Sequence, residues 1–408
     1  MIKMKQIMWV FFIIFCFSNN IFGQEIIKGK IFDKNTQIPL AYVSVFFQDT
    51  HVGTTTNEEG FFEFEYPLSQ KKDSLTVSYV GYKTVKVSIK DSYNYKSIEI
   101  VEETASLDEI IINTVPPTAE KIMQSVFSNI RKNHFGKTKP RLGYMNYTFF
   151  DEEWCISLGE ASFVFEKDKI THLKSRGVSN KKRFKKINKL LGKRKSRQIS
   201  SNPEMLVDDV RKLDVPNHVK LNENKKKKQS DLNKNFEFKY DGYLKYNNRM
   251  NYVILFKVFK KKRAIFQGRL LIDTETYGCA SYDFIIPKGT DPNKIIFSGF
   301  SRFFMSMFSS FKMTDLTREI KAEFRLENEN WVLSNGKIIT GAKLKVKNKY
   351  LDGLAVQNYI ISKEEYQTDD ITNLDSSDFS DGLWEGNFHI PLSEKHKEYV
   401  KIINQNNN

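Results

Sequence analysis

Cysteine, histidine and long apolar runs are all scarce in this chain. Three cysteines in 408 residues exclude the multi-bridge framework that holds small secreted folds together. The six histidines, at 51, 134, 172, 218, 389 and 396, form no His-Glu-x-x-His or His-x-x-Glu pair, so no zinc centre is expected. No Gly-x-Ser-x-Gly elbow and no Gly-rich phosphate loop occurs, which removes two common signatures of acyl and phosphoryl transfer. The expectation is a protein without catalytic residues, metal or cofactor.

What the chain has in excess is positive charge. Lysine and arginine number 64 against 49 acidic residues, a formal net charge of +15, and such a balance favours anionic lipid headgroups, acidic glycans or nucleic acid as partners. The first residues decide among these. Lys3 and Lys5 precede an apolar stretch from Ile7 to Phe17, and Gly23 closes a small-residue pattern before Gln24. The stretch is well short of the roughly 20 residues that span a bilayer, so residues 1–23 are expected to be a signal peptide. Export to the periplasm or outer membrane sets nucleic acid aside. Cys16 follows Phe15, where a lipobox needs a small residue. The remaining Cys155 and Cys279 are a candidate disulfide, with two free buried thiols the other outcome.

From residue 24 to 102 short β-rich runs alternate with turn signals: Ile26–Phe32, Ala41–Phe47, Gly60–Tyr66, Leu75–Tyr79, Tyr82–Ile89 and Ser97–Val101. That spacing predicts a small β-sandwich, with Gly60 supplying a positive φ in a turn. Five motifs follow in order: Gly29-Lys30-Ile31-Phe32-Asp33, Pro39-Leu40-Ala41-Tyr42-Val43-Ser44-Val45, Gly53-Thr54-Thr55-Thr56-Asn57, Glu59-Gly60-Phe61-Phe62 and Val80-Gly81-Tyr82. Together they resemble the carboxypeptidase-regulatory-like family of Bacteroidota surface proteins. The resemblance implies a prealbumin-like sandwich of about seven strands that accompanies a peptidase in some proteins without being the catalytic part. Leu107–Ile112 resembles the stretch that follows this module ahead of outer-membrane barrel receptors. The regularly spaced amphipathic strands of such a barrel are missing here.

Residues 103–135 are read as a linker and an amphipathic helix. Thr118 can cap it, and Ala119, Ile122, Met123, Val126, Phe127 and Ile130 share one face. Residues 136–395 return to strand patterns and predict an α+β unit built on one large curved antiparallel sheet, with 396–408 as a polar tail. A helix followed by meandering strands, with Gly268-Arg269-Leu270-Leu271-Ile272-Asp273 running into Thr276-Tyr277, resembles the half-barrel of lipoprotein-carrier proteins. The fold class expected is therefore mainly β, a prealbumin-like sandwich followed by a half-barrel-like sheet.

Two segments stand out as candidate sites. Phe297, Phe300, Phe303, Phe304, Met307, Phe308 and Phe311 recur at helical spacing, as in a lid over an apolar cavity or a helix at a bilayer surface. Packing on the sheet is the plainer role. Residues 181–197 hold ten basic side chains and no acid: Lys181, Lys182, Arg183, Lys185, Lys186, Lys189, Lys193, Arg194, Lys195 and Arg197. With Lys225–Lys228 they form a basic insertion, 181–228, suited to anionic headgroups or to plain solvation. An acidic loop from Asp369 to Glu385 lacks the spacing of a calcium site. The functional expectation is an exported, non-catalytic binding, assembly or scaffold protein holding an apolar ligand. Its rivals are an adhesive surface protein that binds a protein or acidic glycan, and an envelope-polymer hydrolase.

Overall fold

In the computed structural model, residues 24–407 are described apart from 48–52, 68–73, 80–81, 89–95, 103–116, 135–138, 153, 167–168, 184, 186–235, 247–248, 261–262, 288–310, 347–348 and 366–389. Seven short strands come first: β1 (Gln24–Asp33), β2 (Ser44–Phe47), β3 (Gly53–Thr55), β4 (Phe61–Pro67), β5 (Ser74–Ser78), β6 (Val85–Ser88) and β7 (Lys96–Ile100). They form a three-stranded sheet, β4-β1-β7, and a four-stranded sheet, β3-β2-β5-β6. Alternate residues of both sheets, among them Ile31, Val45, Phe47, Phe62, Leu75, Val77 and Ile100, make a shared core, as period-2 patterning requires when two sheets pack face to face.

The five sequence motifs are where this sandwich is tied together. The Tyr82 hydroxyl donates to Asp33 Oδ2 at 2.8 Å, while Asp33 Oδ1 accepts from the amides of Asn35 and Thr36. The Thr56 hydroxyl donates to the Leu40 carbonyl and accepts from the Val43 amide. Asn57 Oδ1 takes the amides of Glu59 and Phe61 across a turn in which Gly60 has a φ of 72°. That left-handed backbone is the conformation glycine adopts without steric cost.

Helix α1 (Ala119–His134) starts where Thr118 accepts from the Ile122 and Lys121 amides. Ten strands then form one antiparallel sheet: β8 (Arg141–Asp151), β9 (Trp154–Glu166), β10 (Lys169–Ser179), β11 (Phe236–Tyr246), β12 (Arg249–Lys260), β13 (Arg263–Asp273), β14 (Cys279–Ile285), β15 (Phe311–Glu327), β16 (Asn330–Val346) and β17 (Lys349–Glu365). Their order is β10-β9-β8-β17-β16-β15-β14-β13-β12-β11. Among the described residues, strands β10 and β11 are thus the two edges, and the described pairings do not close the sheet into a barrel. Helix α2 (Glu394–Asn407) is the last described element. The protein is mainly β, a sandwich followed by a large antiparallel sheet.

The structure corrects several expectations. Residues 396–408 are not a polar tail, because α2 carries His396, Tyr399, Val400 and Ile403 at helical spacing and lays them on the sheet. Phe311 belongs to β15 rather than to a helix. Asn330–Val346 is one uninterrupted strand, β16. Gly341 interrupts the apolar pattern there without ending the strand. A Cβ at that position would stand 2.4 Å from Thr317 Oγ1, so the glycine serves a close approach between strands rather than a turn. Strands β10 and β17 had no clear sequence signal, since both mix charged and apolar residues along their length.

Candidate functional site

Successive residues of a strand point to opposite faces, so the pairing register sorts the ten strands into two surfaces. The inner face, against which α1 packs, includes the row Tyr240, Ile254, Leu270, Tyr282, Ala322, Gly336, Tyr359, Met145 and Ala161, each opposite the next. Ile122, Met123 and Val126 of α1 join the same core. At the end of the helix, His134 Nε2 accepts from the Cys279 amide and Asn133 donates to the Thr276 carbonyl. Burial lowers the His134 pKa to about 3, so the ring is neutral in the folded protein.

Beyond α1 the inner face continues toward edge strand β11 as an aromatic surface. Phe236 and Phe238 stack at 5.8 Å, Phe266 meets Phe284 edge-on at 5.4 Å, and Phe284 stacks on Tyr282 at 5.9 Å. Phe238 pairs with Phe256, and Val258 stands between Phe236 and Phe266. All six of Phe236, Phe238, Phe256, Val258, Phe266 and Phe284 are only half-buried, whereas the part of the face under α1 is buried. This end can take an apolar ligand by ordinary burial, each aromatic ring offering a large contact area.

The outer face carries the opposite chemistry. One residue along from the apolar row lies Lys239, Leu255, Arg269, Asp283, Lys321, Lys337, Asn358, Asn146, Glu160 and Arg176, again each opposite the next across all ten strands. At the β10 end Arg176 and Glu160 pair at 2.6 Å, both buried, and the Tyr144 hydroxyl donates to Glu160. In the middle the sandwich sits over the row. Lys321 Nζ lies 4.4 Å from the Tyr79 ring and Lys337 Nζ 4.5 Å from the Tyr42 ring. These two lysines face each other across β15 and β16. A cleft of about 120 Å³ remains here, lined by Tyr42, Tyr79, Glu319, Lys321, Lys337 and Asn358 among others. Burial pulls Lys321 down, but Glu323 at 3.1 Å and Tyr79 outweigh it and raise its pKa. Burial lowers that of Lys337, with Glu319 and Glu58 offsetting only part of the effect.

Comparison with known proteins bears on the sandwich first. The family model described as the CarboxypepD_reg-like domain matches residues 27–112. Residues 27–112 are a CarboxypepD_reg-like domain. This regulatory-like domain covers β1 to β7 and contains all five motifs. No curated protein matches the chain. Among solved structures, the chain is similar to a DUF1329 family protein from Desulfovibrio piger, at 7% identity over 60% of this chain and 92% of that one, with a TM-score of 0.24. It is also similar to a LolA superfamily protein from Nitrosomonas europaea, at 8% identity, 63% and 98% coverage and a TM-score of 0.21. The Pseudomonas aeruginosa MucA/MucB complex follows at 9% identity, 59% and 93% coverage and a TM-score of 0.19. TM-scores this low give these likenesses no weight for function.

Of the residues singled out from sequence, Phe297, Phe300, Phe303, Phe304, Met307 and Phe308 lie outside the described residues, as do Lys186, Lys189, Lys193, Arg194, Lys195, Arg197 and residues 1–23. Lys181, Lys182 and Lys185 are exposed in a helical turn after β10. Arg183 beside them stacks 4.5 Å over the Trp154 ring and lies 3.7 Å from Asp151. The candidate disulfide does not form. Cys155 and Cys279 are both free and buried, on β9 and β14, five strand spacings of about 4.8 Å apart along the sheet, far beyond the ~7 Å Cα limit for a bridge. Burial pushes both thiols up to about 12, which leaves them protonated and unreactive. Among the described residues no three His, Cys, Asp or Glu side chains cluster as a metal site, and no helix is long and apolar enough to cross a membrane. Sequence reading missed both the aromatic end and the polar row. The alternation Phe236-x-Phe238-x-Tyr240 was a visible signal for the first; the second depends on register, which no single strand reveals.

Proposed function

We propose that this chain is a non-catalytic, exported binding protein of the cell envelope, which holds an apolar chain against the β11–β14 end of the inner face. One observation carries this reading: six half-buried apolar side chains, five of them phenylalanines, share the sheet face on which the protein's own helix packs elsewhere. A face buried along part of its length and left half-open along the rest matches an elongated apolar ligand, because its affinity comes from area removed from water. The charged start of the chain before Ile7–Phe17 supports export. The exposed Lys181, Lys182 and Lys185 near the opposite edge suit an anionic membrane surface. In this reading the regulatory-like domain is a scaffold on the outer face, away from the ligand.

The test is titration of the full chain with 11-(dansylamino)undecanoic acid, whose fluorescence rises on transfer to an apolar site. Saturable enhancement is expected, with affinity falling about tenfold or more in Phe238→Glu and Phe284→Glu and unchanged in the outer-face Leu255→Glu. Each variant is first checked for an unaltered circular dichroism spectrum. Folded protein without saturable enhancement, or equal loss in all three variants, would refute the proposal.

A further inference from the structure

Helix α2 reaches from the regulatory-like domain to the far edge of the sheet. At its start, Ser393 Oγ accepts from the His396 amide at 3.1 Å. Glu59 of the regulatory-like domain accepts from the Glu394 and Lys395 amides, each at 3.2 Å. A carboxylate is the favoured occupant of a helix N-terminus, and here another part of the chain provides it. One turn on, His396 stands between the regulatory-like domain and the sheet, with Nδ1 3.3 Å from Glu58 Oε2 and Nε2 3.0 Å from Thr148 Oγ1. The middle of α2 lays Tyr399, Val400 and Ile403 on Cys155, Leu158 and Val178. Its end is fixed to β10: Asn407 donates to the Ser179 carbonyl and accepts from the Lys181 amide.

The surface held under this helix and domain is not built like a permanent core. The sandwich core and the sheet core are separate clusters with no residue in common, so each survives if the two come apart. Between them lie Tyr42 and Tyr79 on lysine ammonium groups, the hydrogen bond from the Tyr42 hydroxyl to Glu58, and the cleft. Among the described residues Asn358 Oδ1 is buried there without a hydrogen-bond partner, a cost that a permanent interface would be expected to remove. Contacts of this polar kind are typical of domain interfaces that open.

From these features we propose that α2 is a latch. With Glu59 and His396 engaged, the regulatory-like domain is held over the central part of the polar row; with the latch released, the domain lifts and exposes Lys321 and Lys337 to solvent or to a partner. The device is independent of ligand binding on the inner face.

Amine labelling of the full chain with sulfo-NHS acetate, read per lysine by peptide mass spectrometry, tests it. Lys257 and Lys343, both about half exposed, serve as internal references. In the wild-type protein Lys321 and Lys337 should label more slowly than the references. The double variant Glu59→Ala/His396→Ala should raise their rates about tenfold, as expected when a cap and a bridging contact are both lost, with the reference rates unchanged. If the double variant does not fold, Glu59→Gln is measured in its place, with a smaller increase at the same two lysines. Rates for Lys321 and Lys337 that equal the references in the wild type, or that stay low while the α2 amides exchange faster, would overturn the latch.

Discussion

The row through Tyr359 on the inner face holds tyrosine, isoleucine, leucine, alanine, methionine and one glycine; the row through Asn358, its immediate neighbour in sequence, holds lysine, arginine, aspartate, glutamate and asparagine with one leucine, Leu255. The inner row crosses nine of the ten strands that the outer row crosses, and both share the same backbone. What separates them is the period of two in each strand, kept in register across nine pairings. The inner face uses its side chains to exclude water, and stability there follows volume and area. The outer face needs each charge matched, and what matches it changes along the row: a buried internal partner for Glu160, an aromatic ring of the regulatory-like domain for Lys337, a part-exposed carboxylate, Asp283, for Arg269.

The comparison breaks most visibly at its most buried charge. Removing one member of the Arg176–Glu160 pair leaves the other unpaired, so Glu160→Ala should lower stability by about 3–5 kcal/mol in chemical denaturation. The double replacement Glu160→Leu/Arg176→Met should recover most of that loss. Should the double variant remain as unstable as the single one, the outer row would require ionic character as such. On the inner face Ile122→Ala, at a side chain with no exposure, should cost about 2–4 kcal/mol through the cavity it leaves, and a second apolar residue of similar volume should restore it.

Acid sharpens the contrast further. The folded pKa of His134, about 3, lies below the ordinary histidine value, so the unfolded chain takes up a proton that the folded one does not. Its stabilising effect is complete above about pH 6.5 and is lost as pH falls toward 3, with a slope of about 1.4 kcal/mol per pH unit within that window. In His134→Gln that part of the slope should vanish from the pH dependence of unfolding. The smallest effect belongs to Arg269→Ala. Its pair with Asp283 at 3.1 Å has both side chains more than a third exposed, and the change should cost less than about 1 kcal/mol and shrink further in salt. A loss as large as that of Glu160→Ala would contradict the idea that burial, rather than position in the row, sets what a charge is worth.

Much of this was legible in residue order. The sandwich strands, the start of α1 at Thr118 and strand β11 from Phe236 to Tyr246 all follow local patterns, because turn residues and period-2 alternation are properties of short windows. The identity of the regulatory-like domain rested on motifs that turn out to bond with one another, as Tyr82 does with Asp33. Helix α2 was missed because only one narrow stripe of His396, Tyr399, Val400 and Ile403 is apolar among lysine, glutamate and asparagine. The aromatic end left one local trace, the alternation Phe236-x-Phe238-x-Tyr240, whereas the polar row left none. Lys239 and Arg176 are 63 positions apart in sequence and stand at opposite edges of the sheet, joined into one row only by nine registers set through tertiary packing.

Photo-crosslinking of the full chain with a diazirine-bearing palmitic acid, followed by peptide mapping, addresses the main claim most directly. Binding along the aromatic end predicts adducts concentrated on β11 to β14 at or beside Phe238, Phe256, Phe266 and Phe284, competed away by unlabelled palmitate. Adducts confined to the outer face or to the regulatory-like domain, or adducts that unlabelled palmitate does not reduce, would contradict it.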